Sequence, residues 1–289
     1  MSTGDGPAEC VINISEGRDL AVVAAVAKAA GTTLADVHTD ADHHRSVLTL
    51  VGTLSEVEEA ARAVATAATD RIDLTAHEGV HPRLGAVDVV PFVPLADLGG
   101  PTTTWEEATA ARDAFAAWAG AALALPCFLY GPERTLPEVR RRAFRDLAPD
   151  AGPPAPHPSA GAAAVGVRGV LIAWNVWLAA DRAASPDGVD VVAVARDIAA
   201  GLRSPVLRTL GLAVEGGAQV SCNVIDPSAV DLADVYDAVA AGAAAAGCRA
   251  VRGELVGLAP RSALDAVPEG RWEQLGLSQR TTIEAGRSR

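Results

Sequence analysis

One order of segments occurs twice in this chain, strand-helix-strand-strand-helix-strand, on either side of a proline-rich break. Residues 9–14 read as a strand, and 19–30 as an amphipathic helix stopped by Gly31. Residues 33–38 and 46–52 read as two strands around a polar loop. Ser55 and Glu58 offer a capping box to a helix with Val57, Ala60, Ala61, Val64 and Ala68 at helical spacing, and 86–95 is a strongly apolar strand. A helix over 104–122 with Thr104 and Glu107 as its capping box, a strand at 127–130 and an arginine-rich helix over 136–145 follow.

Prolines 149, 153, 154, 156 and 158 can continue neither a helix nor a central strand, so 149–158 reads as a linker or an extended crossover. Beyond it the order returns: a strand at 165–178, a helix at 190–202, strands at 206–215 and 219–225 joined by Gly216 and Gly217, a helix capped by Asp231, and a strand at 250–258. The expected class is α/β (α+β), two ferredoxin-like βαββαβ subdomains over 1–158 and 159–289, the second ending in a polar, peripheral tail after Gly270. Helices on one face of each sheet leave the other bare. Packing the sheets face to face, helices outside, buries both faces and leaves a tunnel for a ligand.

Composition removes several function classes. The net charge of −12 disfavours a nucleic-acid partner. No apolar run is long enough to span a membrane, and the N-terminus lacks the basic and apolar regions of a signal peptide, so a cytoplasmic protein is expected. Lys28 is the only lysine, on an expected helix surface, which argues against Schiff-base chemistry. Cys10, Cys127, Cys222 and Cys248 are far apart and read as small core residues.

Five of the six histidines, His38, His43, His44, His77 and His81, fall in loops flanking strands, where proton-transfer groups are usually placed. His77-Glu-x-x-His81 matches the zincin pattern in letters, but that motif needs a helix to bring both imidazoles to one face. Gly79 within it and Pro82 after it argue for a loop. A metal-dependent hydrolase using His38, Asp40, Asp42 and His43 is the competing reading of the earlier loop. Arg45, Arg83 and Arg168 each abut a strand and suit a ligand with two or three carboxylates. Arg140, Arg141, Arg142 and Arg145 read as a solvated helix face.

These residues also carry a resemblance. Glu9-Cys-Val-Ile-Asn13-Ile-Ser15-Glu-Gly-Arg18 resembles the E-C-V-x-N-x-S-E-G-R opening of glutamate formiminotransferases, and the stretch from His77 through Asp88 to Pro94 resembles their H-x-G-x-H-P-R-x-G-A-x-D-V-x-P-F-x-P block. Leu171-Ile-Ala-Trp-Asn175 and Glu254-Leu-Val-Gly-Leu-Ala-Pro260 are similar to later segments of the same family, so the likeness runs in order from Glu9 to Leu264. The resemblance implies two α/β subdomains around a folate tunnel. It implies transfer of a formimino group from N-formiminoglutamate to tetrahydrofolate, a co-substrate, by a cytoplasmic homodimer without a metal; formyl transfer or another formimino donor is the alternative on the same fold. Carried over by position, His81 is the general acid/base, with His38 and Asp40 where bifunctional members carry a catalytic aspartate. The implied substrate and folate residues are Asn13, Ser15, Glu16, Arg45, His77, Arg83, Gly166, Arg168, Gly169 and Asn175. His44, Gly169 and Trp177 stand where the family usually has asparagine, lysine and asparagine, and the chain ends before any cyclodeaminase domain.

Overall fold

The computed structural model describes residues 5–78, 83–95, 102–181, 183–184 and 188–287, and the chain divides into two compact units after Arg168. The first unit runs β1 (Pro7–Ile14), α1 (Leu20–Lys28), β2 (Leu34–Asp40), β3 (Arg45–Thr53), α2 (Leu54–Arg71), β4 (Val87–Pro94), α3 (Trp105–Ala122), β5 (Cys127–Tyr130), α4 (Leu136–Arg142) and β6 (Ala163–Val167). Among the described residues its sheet has the order β2-β3-β1-β4-β6-β5; the first four strands are antiparallel, and β6 joins β4 and β5 in parallel. The βαββαβ expectation holds for β1 through β4, with α3, β5, α4 and β6 as an extension.

Strand alternation sorts the side chains. Cys10, Ile12, Ile14, Leu48 and Leu50 face a core closed by Val26 of α1, Val57, Ala61 and Val64 of α2 and Phe115 of α3. Glu9, Asn13, Arg45, Val47 and Thr49 alternate with them and take the other face. There α4 covers the β5–β6 end, with Val139 packed among Val89, Phe128, Tyr130 and Ala164.

The second unit runs β7 (Ile172–Ala180), α5 (Val191–Leu202), β8 (Leu207–Val214), β9 (Gly217–Val224), α6 (Leu232–Ala245) and β10 (Cys248–Val256), in a sheet of order β10-β7-β9-β8. Trp174, Val176, Leu178, Val220 and Cys222 pack against Ala195 and Ala199 of α5 and Tyr236 and Val239 of α6.

Several expectations need correction. The apolar run 165–178 is two strands: Ala163–Val167 belongs to the first sheet and Ile172–Ala180 to the second. The unit boundary therefore falls after Arg168, ten residues beyond the expected 158. Of the two readings of the proline-rich stretch, the crossover is the one found: it stays within the first unit, where Ala151 bridges Cys127 and the Ala160 oxygen accepts the Ala86 amide. The cap of α2 is Thr53 with Glu56, two residues before Ser55 and Glu58. The tail is not peripheral: Leu275 and Leu277 lie in the second core, and Trp174 Nε1 donates to the Leu275 oxygen at 2.8 Å. All four cysteines are buried and free, as expected, and no described helix is long and apolar enough to cross a membrane.

Candidate active site

The register of β2, β3, β1 and β4 sets His38, Val47, Asn13 and Val89 in one row, on the sheet face away from α1–α3. One strand step along, Arg45 opposite Asp40 begins β3. Asp88 is the extra residue of a bulge, since Asn13 and Ile14 pair with Val89 and Val87; a bulge of this kind re-aims a side chain.

Asp88 is 1 % exposed. Its carboxylate accepts the Leu84 amide at 2.6 Å and Arg140 Nη2 at 2.7 Å. Burial pushes that carboxyl up, but the guanidinium groups of Arg140 and Arg45 outweigh it and hold it below the usual aspartate range. Arg45 donates to Asn13 Oδ1. Burial lowers the Arg45 guanidinium to about 10; Asp88 opposes the shift, while Arg140 and Arg83 add to it. Burial likewise lowers Arg83, against the pull of Asp88. Arg45, Arg83 and Arg140 each feel or grip the Asp88 carboxylate, and planar guanidinium groups gathered in this way suit a ligand with carboxylates.

The turn between β2 and β3 carries the second group. Asp40 accepts the His43 amide at 2.8 Å through Oδ1 and meets His43 Nδ1 at 2.7 Å through Oδ2. Burial pushes the Asp40 carboxyl up, and the bonds from His43 more than offset it. Next to it His44 has a φ of 48°, and its ring reaches Glu16 Oε1 at 3.0 Å and the Glu78 backbone oxygen at 2.8 Å. The β1–α1 loop lies against this turn, for a Cβ on Gly17 would sit 2.2 Å from the Asp40 oxygen; only glycine allows that approach.

His81 lies outside the described residues, together with 79, 80 and 82. The first unit brings Asn13, Glu16, His38, Asp40, Arg45, His77 and Arg83 to one end of its sheet and the adjoining loops. Ser15 Oγ donates to the Gly85 oxygen at 2.8 Å and ties β1 to the entry of β4. Gly166 is packed beneath Tyr130, where a Cβ would meet the ring at 2.2 Å, and Arg168 stands near Glu9. Gly169 and Asn175 belong to the second unit. Asn175 Nδ2 and Gln219 Nε2 lie 3.4 and 3.3 Å from Glu254 Oε2, and Trp177 Nε1 lies 2.9 Å from the same atom. The Arg252 guanidinium sits 4.7 Å from the centre of the Trp177 ring.

Arg140 is a correction, because it grips Asp88 from α4 instead of lying on a solvated face. Sequence reasoning named His44 only among the clustered histidines and gave it no role, and of the Glu254 cluster it singled out Asn175 but not Gln219. The loop proposed for a metal-dependent hydrolase does not converge: among the described residues no three His, Cys, Asp or Glu side chains form a ligand group.

Comparison with known proteins agrees with this arrangement. The family model of the formiminotransferase domain, N-terminal subdomain, matches residues 7–168, the span of the first unit's ten elements. The chain is 36 % identical to a glutamate formimidoyltransferase of Streptococcus pyogenes serotype M1, over 90 % of this chain and 91 % of that protein. It is 33 % identical to a glutamate formimidoyltransferase of Thermoplasma acidophilum over 96 % and 95 %. It is 34 % identical to the formimidoyltransferase-cyclodeaminase of Gallus gallus over 89 % of this chain and 50 % of that protein. With the family model over more than half of the chain and the likeness to named relatives running nearly end to end, the chain belongs to the formiminotransferase family.

Proposed function

We propose that this protein transfers the formimino group of N-formiminoglutamate to tetrahydrofolate, giving 5-formiminotetrahydrofolate and glutamate. The observation that carries the reading is the arginine cluster of Arg45, Arg83 and Arg140 around Asp88, which supplies charge for glutamate carboxylates. Arg83 follows the H-x-G-x-H-P segment by one residue, so the carboxylate site and His81 are linked by a very short stretch of chain. Full-length likeness to named glutamate formimidoyltransferases supports the same reaction.

The chemistry asks for positioning and one proton relay. N5 of tetrahydrofolate attacks the formimino carbon, and its proton goes to the His81 imidazole as the C–N bond forms. The tetrahedral adduct then breaks its bond to the glutamate nitrogen, which takes the proton back from His81. No electrons change hands, and one imidazole near its working pKa serves both halves. Arg45 and Arg83 hold the glutamate carboxylates and turn binding into alignment. Asn13, Glu16, His77, His38 and Asp40 fill out the donor side, and Gly166, Arg168, Gly169 and Asn175 are assigned to folate by their match to the family's stretch. We assign the active form as a cytoplasmic homodimer, a state that light scattering on the purified protein reads directly.

The deciding experiment offers tetrahydrofolate and a panel of formimino and formyl amino acids to the purified protein and quantifies both products. Equal amounts of 5-formiminotetrahydrofolate and glutamate from N-formiminoglutamate are expected. Preference for a formyl donor would replace the donor assignment, and no transfer from any donor would overturn the reading.

A further inference from the structure

His44 joins three pieces of chain that carry the candidate catalytic groups. Its Nε2 meets Glu16 Oε1 at 3.0 Å and its Nδ1 meets the Glu78 backbone oxygen at 2.8 Å. The ring also stacks on His77, with centroids 3.8 Å apart and planes 14° from parallel, and His77 Nε2 donates to the His44 oxygen at 3.2 Å. The ring is thus held between two oxygens, the Glu16 carboxylate on one side and the Glu78 carbonyl on the other. Glu16 supplies the countercharge from a fixed place: Oε1 also accepts the amides of Gly17, Arg18 and Asp19 at 2.8, 2.8 and 2.9 Å. Burial pushes the Glu16 carboxyl up, and these bonds together with His44 hold it below its ordinary value.

The backbone of His44 adopts a left-handed conformation to place this ring, with a φ of 48° that side chains other than glycine, asparagine and aspartate seldom take. The result is a brace from the β1–α1 loop, through the β2–β3 turn, to His77 and Glu78.

We propose that His44 is a positioning residue for this reaction: by binding Glu16 and the Glu78 carbonyl and stacking on His77, it fixes the start of the segment that leads to His81. The inference rests on the reading of His81 as the acid/base. Its signature is a loss in turnover without a matching loss in substrate binding.

Two variants test it. His44→Asn keeps a residue that tolerates the backbone conformation but removes the stack and one of the two ring bonds; Glu16→Gln keeps the backbone acceptor and removes the countercharge. His44→Asn is expected to lower kcat about 10- to 30-fold while KM for each substrate stays within about twofold, the size of effect that small misplacements of a catalytic group produce; Glu16→Gln, at a donor-side residue, should lower kcat by a similar factor whatever its KM does. A second readout needs no activity: a glutamate-specific endopeptidase should cut after Glu78 severalfold faster in both variants, with its other cleavages and the melting curve little changed. Wild-type kcat together with wild-type cleavage at Glu78 would overturn the proposal, as would a loss confined to melting temperature. Faster cleavage in the variants of a wild-type protein that transfers nothing would support the brace while removing the transferase reading.

Discussion

Arg140 of α4 and Asp88 of β4 form a salt bridge, Nη2 to Oδ2 at 2.7 Å, in which the carboxylate side chain is 2 % exposed and the guanidinium side chain 20 %. The pair links the added α4 to the bulge in the four-stranded part of the sheet, so it ties α4 to the end that carries the candidate site. Removing one partner of such a buried pair leaves the other charge uncompensated.

Arg140→Met should therefore cost about 2–4 kcal/mol of unfolding free energy, read by urea denaturation, with Arg45 left as a partial partner for Asp88. Asp88 adds a pH signature. Its folded-state pKa is depressed, so the stability it contributes is present above the unfolded value near about 4 and is lost as pH falls through the folded value. The gap in stability between wild type and Asp88→Asn should accordingly narrow below about pH 4. A gap that stays constant with pH would mean that Asp88 is not held ionised by its arginines.

Glu9 has the opposite sign. Burial raises its carboxyl to about 7, with the charge of Arg168 opposing the shift. The folded protein then holds a proton that the unfolded chain releases above about pH 4.5, so this contribution to stability declines as pH rises from about 4.5 to 7. Glu9→Gln should remove that slope and be more stable than wild type at pH 8 by up to about 3 kcal/mol. Parallel stability curves for the two proteins between pH 5 and 8 would refute the assignment.

What the sequence disclosed and what it withheld have physical reasons. Thr104 and Glu107 cap α3 as read. At α2 both Thr53-x-x-Glu56 and Ser55-x-x-Glu58 satisfy the pattern, and the tertiary structure chose: Thr53 is still extended, paired with Pro7, and the next amide, that of Leu54, donates to the Gly6 oxygen. Arg140 was legible in retrospect, because Leu136, Val139, Arg140 and Ala143 share one helical face, and a run of three arginines must turn one of them inward. The run 165–178 is longer than most single strands, and Arg168-Gly169 marks the break. His44 could not be read this way. Its partners, Glu16 and Glu78, lie 28 and 34 residues away in sequence, and only folding brings them together.

In the second unit Glu254 gathers the side-chain donors of Asn175, Trp177 and Gln219 on one oxygen. Gln219 is fully buried, so a lost acceptor there is not replaced by water. Glu254→Ala should destabilise the protein by about 2–3 kcal/mol and Glu254→Gln by clearly less, since the amide oxygen keeps the acceptor. Equal melting temperatures for the two variants would show that the cluster contributes through charge and not through satisfied donors.

His81 is the sharpest test of the chemistry. Alanine there removes the proposed proton carrier but none of the arginines assigned to the substrate carboxylates. His81→Ala should lower turnover by at least about 100-fold, the usual range for losing a general acid/base, while its melting temperature and its affinity for tetrahydrofolate stay near wild type. Added imidazole should recover part of the rate, because the missing function is proton transfer and the vacated side chain leaves room for a small base. Turnover near the wild-type rate in this variant would move the acid/base role to another group. The Asp40–His43 pair would be the next place to look, since its carboxylate already orients an imidazole at 2.7 Å.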